Sequence, residues 1–181
     1  AESVSEPAVH AALFQGIPKA GKMEQIVQKA VELGAAEIYP VMMERSVVRL
    51  DSQKAKEEKA ARWSKVAQEA AKQCGRGKVP AVRLPLTFAQ ALEQAVRYGM
   101  ALMPYEELGH AGQHGLKNLL RDNPTDSYAV LIGPEGGFSV AEVMAAKQAG
   151  ISMTGLGKRI LRCETAGSTV LSIIMYENDE I

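Results

Sequence analysis

Apolar and polar residues follow two different patterns along this chain. Short apolar runs of strand length predict β-strands at residues 9–14, 37–42, 81–84, 100–103, 128–132 and 151–154. Between them, apolar residues at helical spacing predict helices over residues 23–33, 51–74, 88–98, 116–120, 140–149 and 167–176. Strands that alternate with helices predict an α/β fold, with a mostly parallel sheet and helices on both faces.

Two pairs of residues predict where helices begin. Thr87 with Gln90, and Ser139 with Glu142, have the spacing of a capping box, in which each side chain bonds the other residue's backbone N–H. Both pairs lie at the start of a helical pattern, so we expect helices to begin at residues 88 and 140.

Other signals predict irregular segments. Pro40 cannot donate to a strand ladder, so we expect it to end the second strand early or to place that strand at an irregular edge. Residues 47–50 could extend that strand after a kink. We expect a loop over residues 109–115 and a frayed acidic tail over residues 177–181.

The most distinctive stretch of the chain is the loop from Ile132 to Ser139. It places Gly133, Gly136, Gly137 and a proline between a buried strand and a capped helix. Glycines allow sharp turns and the close approach of a ligand to the main chain, and ligands of open α/β sheets bind beyond the carboxyl ends of strands. The loop therefore predicts a ligand site. A tight turn without a ligand is the alternative, and the lack of a Gly-Lys-Ser/Thr ending argues against a P-loop phosphate site.

Composition bounds the class of protein. The 181 residues, 46% hydrophobic and 23% charged, are ordinary for one soluble globular domain. No apolar run approaches the roughly 20 residues that a membrane-spanning helix needs. Cys74 and Cys163 lie far apart, which predicts free thiols in a reducing cytoplasm. The three histidines are not clustered, so we expect no metal site.

Charge is unevenly distributed, although 21 basic and 21 acidic residues give a net charge of zero. Residues 44–83 contain eleven basic and five acidic side chains, and Lys158, Arg159 and Arg162 form a second basic cluster. Such patches attract phosphate backbones even on a neutral protein. The alternating charges of residues 54–59 are, however, typical of a solvated helix face.

Two stretches together carry a resemblance to a known family. Residues 133–139 read Gly-Pro-Glu-Gly-Gly-Phe-Ser, and residues 156–166 read Leu-Gly-Lys-Arg-Ile-Leu-Arg-Cys-Glu-Thr-Ala. They resemble the paired signatures of the bacterial 16S rRNA uridine-N3 methyltransferases, which belong to the SPOUT superfamily of S-adenosylmethionine enzymes. Upstream motifs extend the resemblance over about residues 10–176: Lys22-Met-Glu, Glu32-Leu-Gly, Glu44-Arg-Ser-Val, Arg62-Trp and Glu69-Ala-Ala-Lys-Gln-Cys-Gly-Arg.

The resemblance implies an α/β fold with a C-terminal trefoil knot of the SPOUT type. Residues 9–177 would form the methyltransferase domain, between a lead-in over residues 1–8 and a tail over residues 178–181. Family members normally begin with a small PUA-like β-barrel that binds RNA, so the resemblance covers the catalytic domain without that module. Such enzymes are usually homodimers, and the apolar final helix fits burial against the core and a partner subunit.

The resemblance also implies the cofactor S-adenosylmethionine, bound where the loops after Met103, after Ile132 and over residues 155–162 converge. Their apolar residues would form a slot for adenine, whose edge needs backbone N–H and C=O partners. The cofactor-binding residues expected on this basis are Met103, Pro104, Ile132, Gly133, Pro134, Gly136, Leu156, Gly157, Ile160, Leu161, Thr165 and Ala166.

The implied reaction is methylation of N3 of a uridine in 16S rRNA. N3 carries a proton at neutral pH, so the enzyme must favour the deprotonated base with a proton acceptor or with a cation near the uracil oxygens. Arg162 and Arg159 are the expected cations, and Glu135 is the candidate acceptor. Glu164 is a second carboxylate, which could instead lie at the N-terminus of the final helix, where negative charge is favoured.

Lys22, Arg45 and Arg76 are the residues that we expect to contact RNA phosphates, because each lies in one of the upstream motifs. The expected partner is 16S rRNA or the small ribosomal subunit. N3 lies on the Watson–Crick edge, so the target uridine must be unpaired or flipped into the site. Two alternatives stay open: a SPOUT methyltransferase acting on another RNA, and a non-catalytic RNA-binding module that retains the pocket.

Overall fold

Seven parallel strands form one sheet in the computed structural model, which describes residues 6–106 and 115–181. The strands are β1 (His10–Gly16), β2 (Glu37–Met42), β3 (Ala81–Val82), β4 (Leu86–Thr87), β5 (Met100–Pro104), β6 (Ser127–Ile132) and β7 (Ser152–Thr154). Their order is β3-β2-β1-β6-β5-β7, and β4 also pairs with β2. Because every pairing among the described strands is parallel, their carboxyl ends share one edge of the sheet.

Helices cover both faces of this sheet. They are α1 (Lys22–Glu32), α2 (Gln53–Gln73), α3 (Phe88–Ala95), α4 (Leu116–Asp122), α5 (Val140–Gln148) and α6 (Cys163–Glu177). Successive strand residues point to opposite faces. Leu13 and Val130 therefore pack in a core with α1, α2, α4 and α6, whereas Phe14 and Leu131 pack in a second core with α3 and α5. The α/β fold predicted from the sequence is confirmed.

Both predicted capping boxes are present. The Thr87 hydroxyl accepts the N–H of Gln90 at 3.3 Å, and the Gln90 side chain accepts the N–H of Thr87 at 3.0 Å. Ser139 and Glu142 form the same reciprocal pair, at 3.2 and 2.9 Å. Helices α3 and α5 consequently begin at residues 88 and 140, as predicted.

The predicted start of the final helix is wrong by a full turn. It begins at Cys163 rather than at Gly167, because the carbonyl of Arg162 already accepts the backbone N–H groups three and four residues further on. Strand β1 also runs two residues beyond its predicted end, to Gly16, where it continues to pair with β2.

Two other predicted segments differ in the structure. Residues 47–50 do not extend a strand; Arg49 donates to two backbone carbonyls just after β2 and fixes this segment as a loop. Residues 178–181 do not simply fray, since Asn178 donates to the carbonyl of Ile174, and the Glu180 carboxylate accepts a backbone N–H of the N-terminal segment at 2.7 Å.

Pro40 neither shortens β2 nor places it at an edge, because β2 runs to Met42 and pairs on both sides; the missing N–H of Pro40 interrupts only the outer side of the strand. The carbonyls of Ala36 and Ile38 accept from the N–H groups of Ala81 and Arg83, so the even-numbered residues of β2 direct their backbone groups to this side. Strand β3 pairs with the first part of β2 and β4 with its last part. The break between these two short strands lies at the proline.

The trefoil knot stays a prediction, as does the division into residues 1–8, 9–177 and 178–181. Strand β5 lies between β6 and β7, and α6 returns to pack against β1 and β6. The loop predicted over residues 109–115 falls outside the described residues, apart from Gly115 at its end. None of the helices in the described ranges has the length and apolar character needed to cross a lipid bilayer.

Arg76, predicted to contact RNA, is part of the protein's own packing. Its guanidinium donates to the carbonyls of Val31 (3.0 Å) and Ala35 (2.7 Å) at the end of α1 and pairs with Glu6 at 2.8 Å. Its side chain is 6% exposed. The hydrogen bond from Arg76 holds the pKa of Glu6 below its usual value. A cation here satisfies the last carbonyls of a helix, so the predicted phosphate contact is wrong for Arg76.

Replacement of Arg76 with glutamine is expected to lower the free energy of unfolding by about 3 kcal/mol, because it leaves the Glu6 carboxylate and buried carbonyls without their cation. Urea unfolding followed by circular dichroism measures this change. The matched control is Lys65→Gln at an exposed position of α2, expected to change stability by less than about 0.5 kcal/mol. Equal losses in the two variants would contradict the structural role of Arg76.

Candidate functional site

A cleft of about 490 Å³ opens at the carboxyl edge of the sheet. Its walls come from three segments: the end of β5 with the two residues after it, the loop between β6 and α5, and the segment between β7 and α6. These are the three loops that the family resemblance implies should converge on the cofactor. The volume lies within the roughly 300–1,000 Å³ typical of small-molecule sites.

Ten of the twelve residues predicted to bind the cofactor line this cleft. Met103 does not, because strand alternation directs its fully buried side chain into the core beneath α3 and α5. Thr165 does not either, since it lies exposed in the first turn of α6. The ten lining residues are Pro104, Ile132, Gly133, Pro134, Gly136, Leu156, Gly157, Ile160, Leu161 and Ala166.

The loop after β6 is a tight turn that needs glycine at two positions. The N–H of Gly137 donates to the carbonyl of Pro134 at 2.9 Å. Gly137 has φ +67°, in the left-handed region that L side chains rarely adopt. A Cβ on Gly133 would lie 3.1 Å from the carbonyl carbon of Gly137. Both glycines therefore allow the turn to close on itself.

Gly16 is the point where the end of β1 meets this loop. A Cβ at Gly16 would lie 2.7 Å from both the ring Cδ and the backbone N of Pro134, and 2.8 Å from the sulfur of Met43. Two of these atoms belong to a proline ring, so no side-chain rotation relieves the contact. Only glycine at this position lets the loop lie directly on the strand end.

Gln15 supports the same loop from below, and sequence analysis missed it because the predicted strand ended at Phe14. The side chain is fully buried, and its amide donates to the carbonyls of Gly16 (2.9 Å) and Gly133 (3.4 Å). Its Oε1 has no hydrogen-bond partner within the described ranges. The signal that could have revealed it is a polar residue at the carboxyl end of a buried strand.

Arg45, predicted to contact RNA, lies at the mouth of the cleft, where its Nη1 donates to the carbonyl of Gly136 at 3.0 Å. The segment that carries Arg45 is fixed by Glu142, whose carboxylate accepts the N–H of Glu44 at 2.8 Å as well as the N–H of Ser139. Glu142 is only 6% exposed. The capping residue of α5 thus also holds the loop after β2.

Glu135, predicted to accept a proton, is held by the start of α1. Its carboxylate accepts the N–H of Lys19 at 3.0 Å and lies 3.3 Å from the Lys22 ammonium. Burial by itself would raise the pKa of Glu135, but backbone hydrogen bonds from Glu135 and Lys19 and the Lys22 ammonium outweigh it, so the pKa is lowered. A carboxylate with a lowered pKa is a weak proton acceptor.

Lys22, predicted to contact RNA, is engaged by two carboxylates, since its ammonium also lies 3.6 Å from Glu164. Glu164 accepts a hydrogen bond from the thiol of Cys163 at 3.2 Å. Burial, and after it the hydrogen bond and charge of Glu164, raises the pKa of Cys163 to about 12. This cleft cysteine is therefore a protonated, packed side chain at neutral pH rather than a nucleophile.

Of the two arginines predicted to stabilise negative charge, Arg159 lines the cleft. Arg162 does not; it is exposed and forms the N-cap of α6. In the part of the chain that the structure describes, no three His, Cys, Asp or Glu side chains cluster as metal ligands. Sequence analysis missed several lining residues, most of them neighbours of predicted ones: Tyr105, Glu106, Gly137, Phe138, Val140 and Lys158.

Comparison with protein families and curated proteins identifies relatives of the whole chain. A model of the RNA methyltransferase domain matches residues 5–175. The chain is 40% identical over 170 residues to ribosomal RNA small subunit methyltransferase E of Bacillus subtilis, covering 92% of this chain and 66% of that protein. It is 34% identical over 170 residues to the protein of the same name in Mesomycoplasma hyopneumoniae, covering 93% and 70%. The chain therefore spans about two thirds of the length of these relatives.

Solved structures share the fold described above. A methyltransferase from Legionella pneumophila in complex with the bound cofactor SAM superposes with a TM-score of 0.84 at 33% identity, over 95% of this chain and 68% of that one. Ribosomal RNA small subunit methyltransferase E from Neisseria gonorrhoeae, bound to S-adenosyl methionine, gives 0.81 at 30% identity, over 98% and 68%.

Replacement of Gly16 with alanine is expected to lower the free energy of unfolding by about 1–3 kcal/mol, because the new methyl group overlaps Pro134 and must displace the loop after β6. Urea unfolding measures the loss. Gly167→Ala is the matched control, expected to cause no loss, since a Cβ inside α6 would make only ordinary contacts at 3.5 Å or more. Should the two variants prove equally stable, the close contact at Gly16 would not be what holds the loop.

Proposed function

We propose that this chain, which belongs to the RNA methyltransferase family, transfers a methyl group from S-adenosylmethionine to N3 of a uridine in 16S rRNA of the small ribosomal subunit. The observation that carries the proposal is the cleft in which the loop after β6 faces residues 156–161. Relatives at 40% and 34% identity are named for methylation of small-subunit ribosomal RNA. Two structural neighbours hold the same cofactor.

The residues of the cleft fit this cofactor. Gly133, Gly136 and Gly137 line the cleft, and a Cβ on Gly137 would meet no described atom within 4 Å, so a ligand can approach the main chain closely there. Leu156, Ile160 and Leu161 supply apolar surface suited to an adenine ring, and backbone N–H and C=O groups of the same segment suit its polar edge. S-adenosylmethionine supplies the electrophilic methyl group once bound.

Within this proposal, the protein's own task is to orient the uracil and to stabilise its deprotonated form. Positioning supplies much of the acceleration in methyl transfer. We assign charge stabilisation to Arg159, because it lines the cleft and its guanidinium is a fixed fork of donors for the uracil oxygens. The ion pair of Glu135 with Lys22 argues against Glu135 as the proton acceptor.

Arg45 is the residue that we assign to the RNA backbone, because it is exposed at the mouth of the cleft. A flipped uridine would enter past it. Lys158 and Arg162 add positive charge on the neighbouring segment. We expect the reaction to take place in the cytoplasm, where Cys74 and Cys163 stay reduced.

A homodimer is part of the proposal. The apolar residues of α6 are largely used within the chain's own core, so they do not argue for a partner. Three other apolar side chains near the cleft do: Val140 is 68% exposed, Met144 55% and Ile160 71%. A second copy of the chain covering this region would remove them from water.

The function is tested by incubating the protein with small ribosomal subunits or naked 16S rRNA and radiolabelled S-adenosylmethionine, followed by mass spectrometric mapping of the methylated base. We expect 3-methyluridine in 16S rRNA. Gly133→Val is the inactive control, because its side chain would meet the backbone of Gly137. Cofactor binding without methyl transfer to any RNA would favour a non-catalytic RNA-binding module, and a methylated base in another RNA would change the substrate.

Arg159→Ala is expected to lower kcat by about 10²-fold while leaving the affinity for S-adenosylhomocysteine nearly unchanged, because the lost donors act on charge that develops in the transition state. Arg162→Ala is expected to lower kcat less, since this side chain does not line the cleft. Steady-state kinetics together with calorimetric titration measure both quantities. A larger loss of kcat in Arg162→Ala than in Arg159→Ala would assign charge stabilisation to Arg162 instead.

A further inference from the structure

The ammonium of Lys22 lies between two carboxylates that belong to two of the segments enclosing the cleft. It is 3.3 Å from Glu135, in the loop between β6 and α5, and 3.6 Å from Glu164, in the first turn of α6. Residues on both sides of these two carboxylates line the cleft. One cation from a third element therefore contacts both segments that enclose the site.

We propose that Lys22 is a positioning residue, which holds the two walls of the cleft at the separation that S-adenosylmethionine requires. The inference rests on the proposed function, since it takes this cleft as the cofactor site. It also replaces the expectation that Lys22 contacts RNA.

The position of Lys22 is fixed by the packing of helix α1. Lys22 is the first residue of α1, and the next turn of that helix buries Met23 (2% exposed) and Ile26 (3% exposed) in the core. The Glu135 carboxylate also accepts the N–H of Lys19, at 3.0 Å, in the turn before α1. The loop after β6 is thus tied to the start of α1 by a backbone hydrogen bond and an ion pair together.

The charges around Lys22 favour this role over a phosphate contact. Two carboxylates within 3.6 Å neutralise its ammonium, and a phosphate would have to displace one of them. The pKa of Glu164 is lowered, first by its own backbone N–H at the start of α6, with the charge of Lys22 contributing. Both carboxylates are therefore ionised at neutral pH, and the cation between them offsets the repulsion of their like charges.

The role predicts a specific defect when the charge of Lys22 is removed. Lys22→Met keeps much of the length of the side chain but leaves Glu135 and Glu164 facing each other without a cation. The walls should then separate, which weakens cofactor binding without removing any group that contacts the cofactor. Lys22→Arg keeps the charge and both carboxylate contacts, so it should restore most of the affinity.

Calorimetric titration with S-adenosylhomocysteine tests the proposal on wild type, Lys22→Met and Lys22→Arg. Because exposed ion pairs each contribute little, the loss of both should raise the dissociation constant of Lys22→Met by about five- to ten-fold, and Lys22→Arg should stay within about three-fold. The matched control is Lys72→Met, which removes the surface ion pair with Glu69 and should leave the constant unchanged. The variant Lys22→Met/Glu164→Gln should recover part of the loss, since it removes the repulsion.

Two further measurements separate this role from the alternatives. Filter binding to small ribosomal subunits should give the same dissociation constant for wild type and Lys22→Met, and kcat at saturating cofactor should be retained. Weaker RNA binding with unchanged cofactor affinity would overturn the proposal in favour of an RNA contact. Equal cofactor affinities in wild type and Lys22→Met would also overturn it. If wild type itself binds no S-adenosylhomocysteine, the proposed function is contradicted, and the role proposed for Lys22 fails with it.

Discussion

The close approach of the loop after β6 to the end of β1 is the contact on which the rest of the site depends. Pro134 lies directly on Gly16, and the buried amide of Gln15 holds the carbonyl of Gly133 from beneath. Arg45 holds the carbonyl of Gly136 from the opposite side. A loop with three glycines would otherwise sample many conformations, and fixing it costs about 1–2 kcal/mol of backbone entropy per residue. Its shape is therefore set by neighbours that lie about 90 to 120 residues earlier in the chain.

Charged side chains near the cleft mainly stabilise the segments that form it. The net charge of the chain is zero, and several ionisable groups near the cleft are engaged with backbone or with one another: Glu142 accepts two backbone N–H groups, and Glu135 is paired with Lys22. The cleft arginine that we assign to chemistry, Arg159, comes from the segment between β7 and α6. Glu135 and Glu142 thus stabilise the walls of the cleft, whereas Arg159 lines the space that a ligand would occupy.

The sequence predicted those features that depend on local signals. The alternation of strands and helices and both capping boxes follow from residues close together in the chain, and all are observed. The start of α6 was missed because Gly167 suggested a helix boundary. In the structure Gly167 lies inside α6, where it faces Leu13 and Ile132. The burial of Arg76 was missed because its partner, Glu6, is distant in the sequence, so no local pattern indicates the pair.

The break at Pro40 has a consequence for assembly. Among the described strands, β2 is followed outward by the two-residue strands β3 and β4, and the three-residue β7 lies at the other margin of the sheet. Within residues 6–106 and 115–181, neither margin presents a long row of unpaired backbone donors and acceptors to which an extended chain from another molecule could add. The described strands therefore offer little edge for strand addition between copies of this protein, and contacts through this region would use side-chain surfaces.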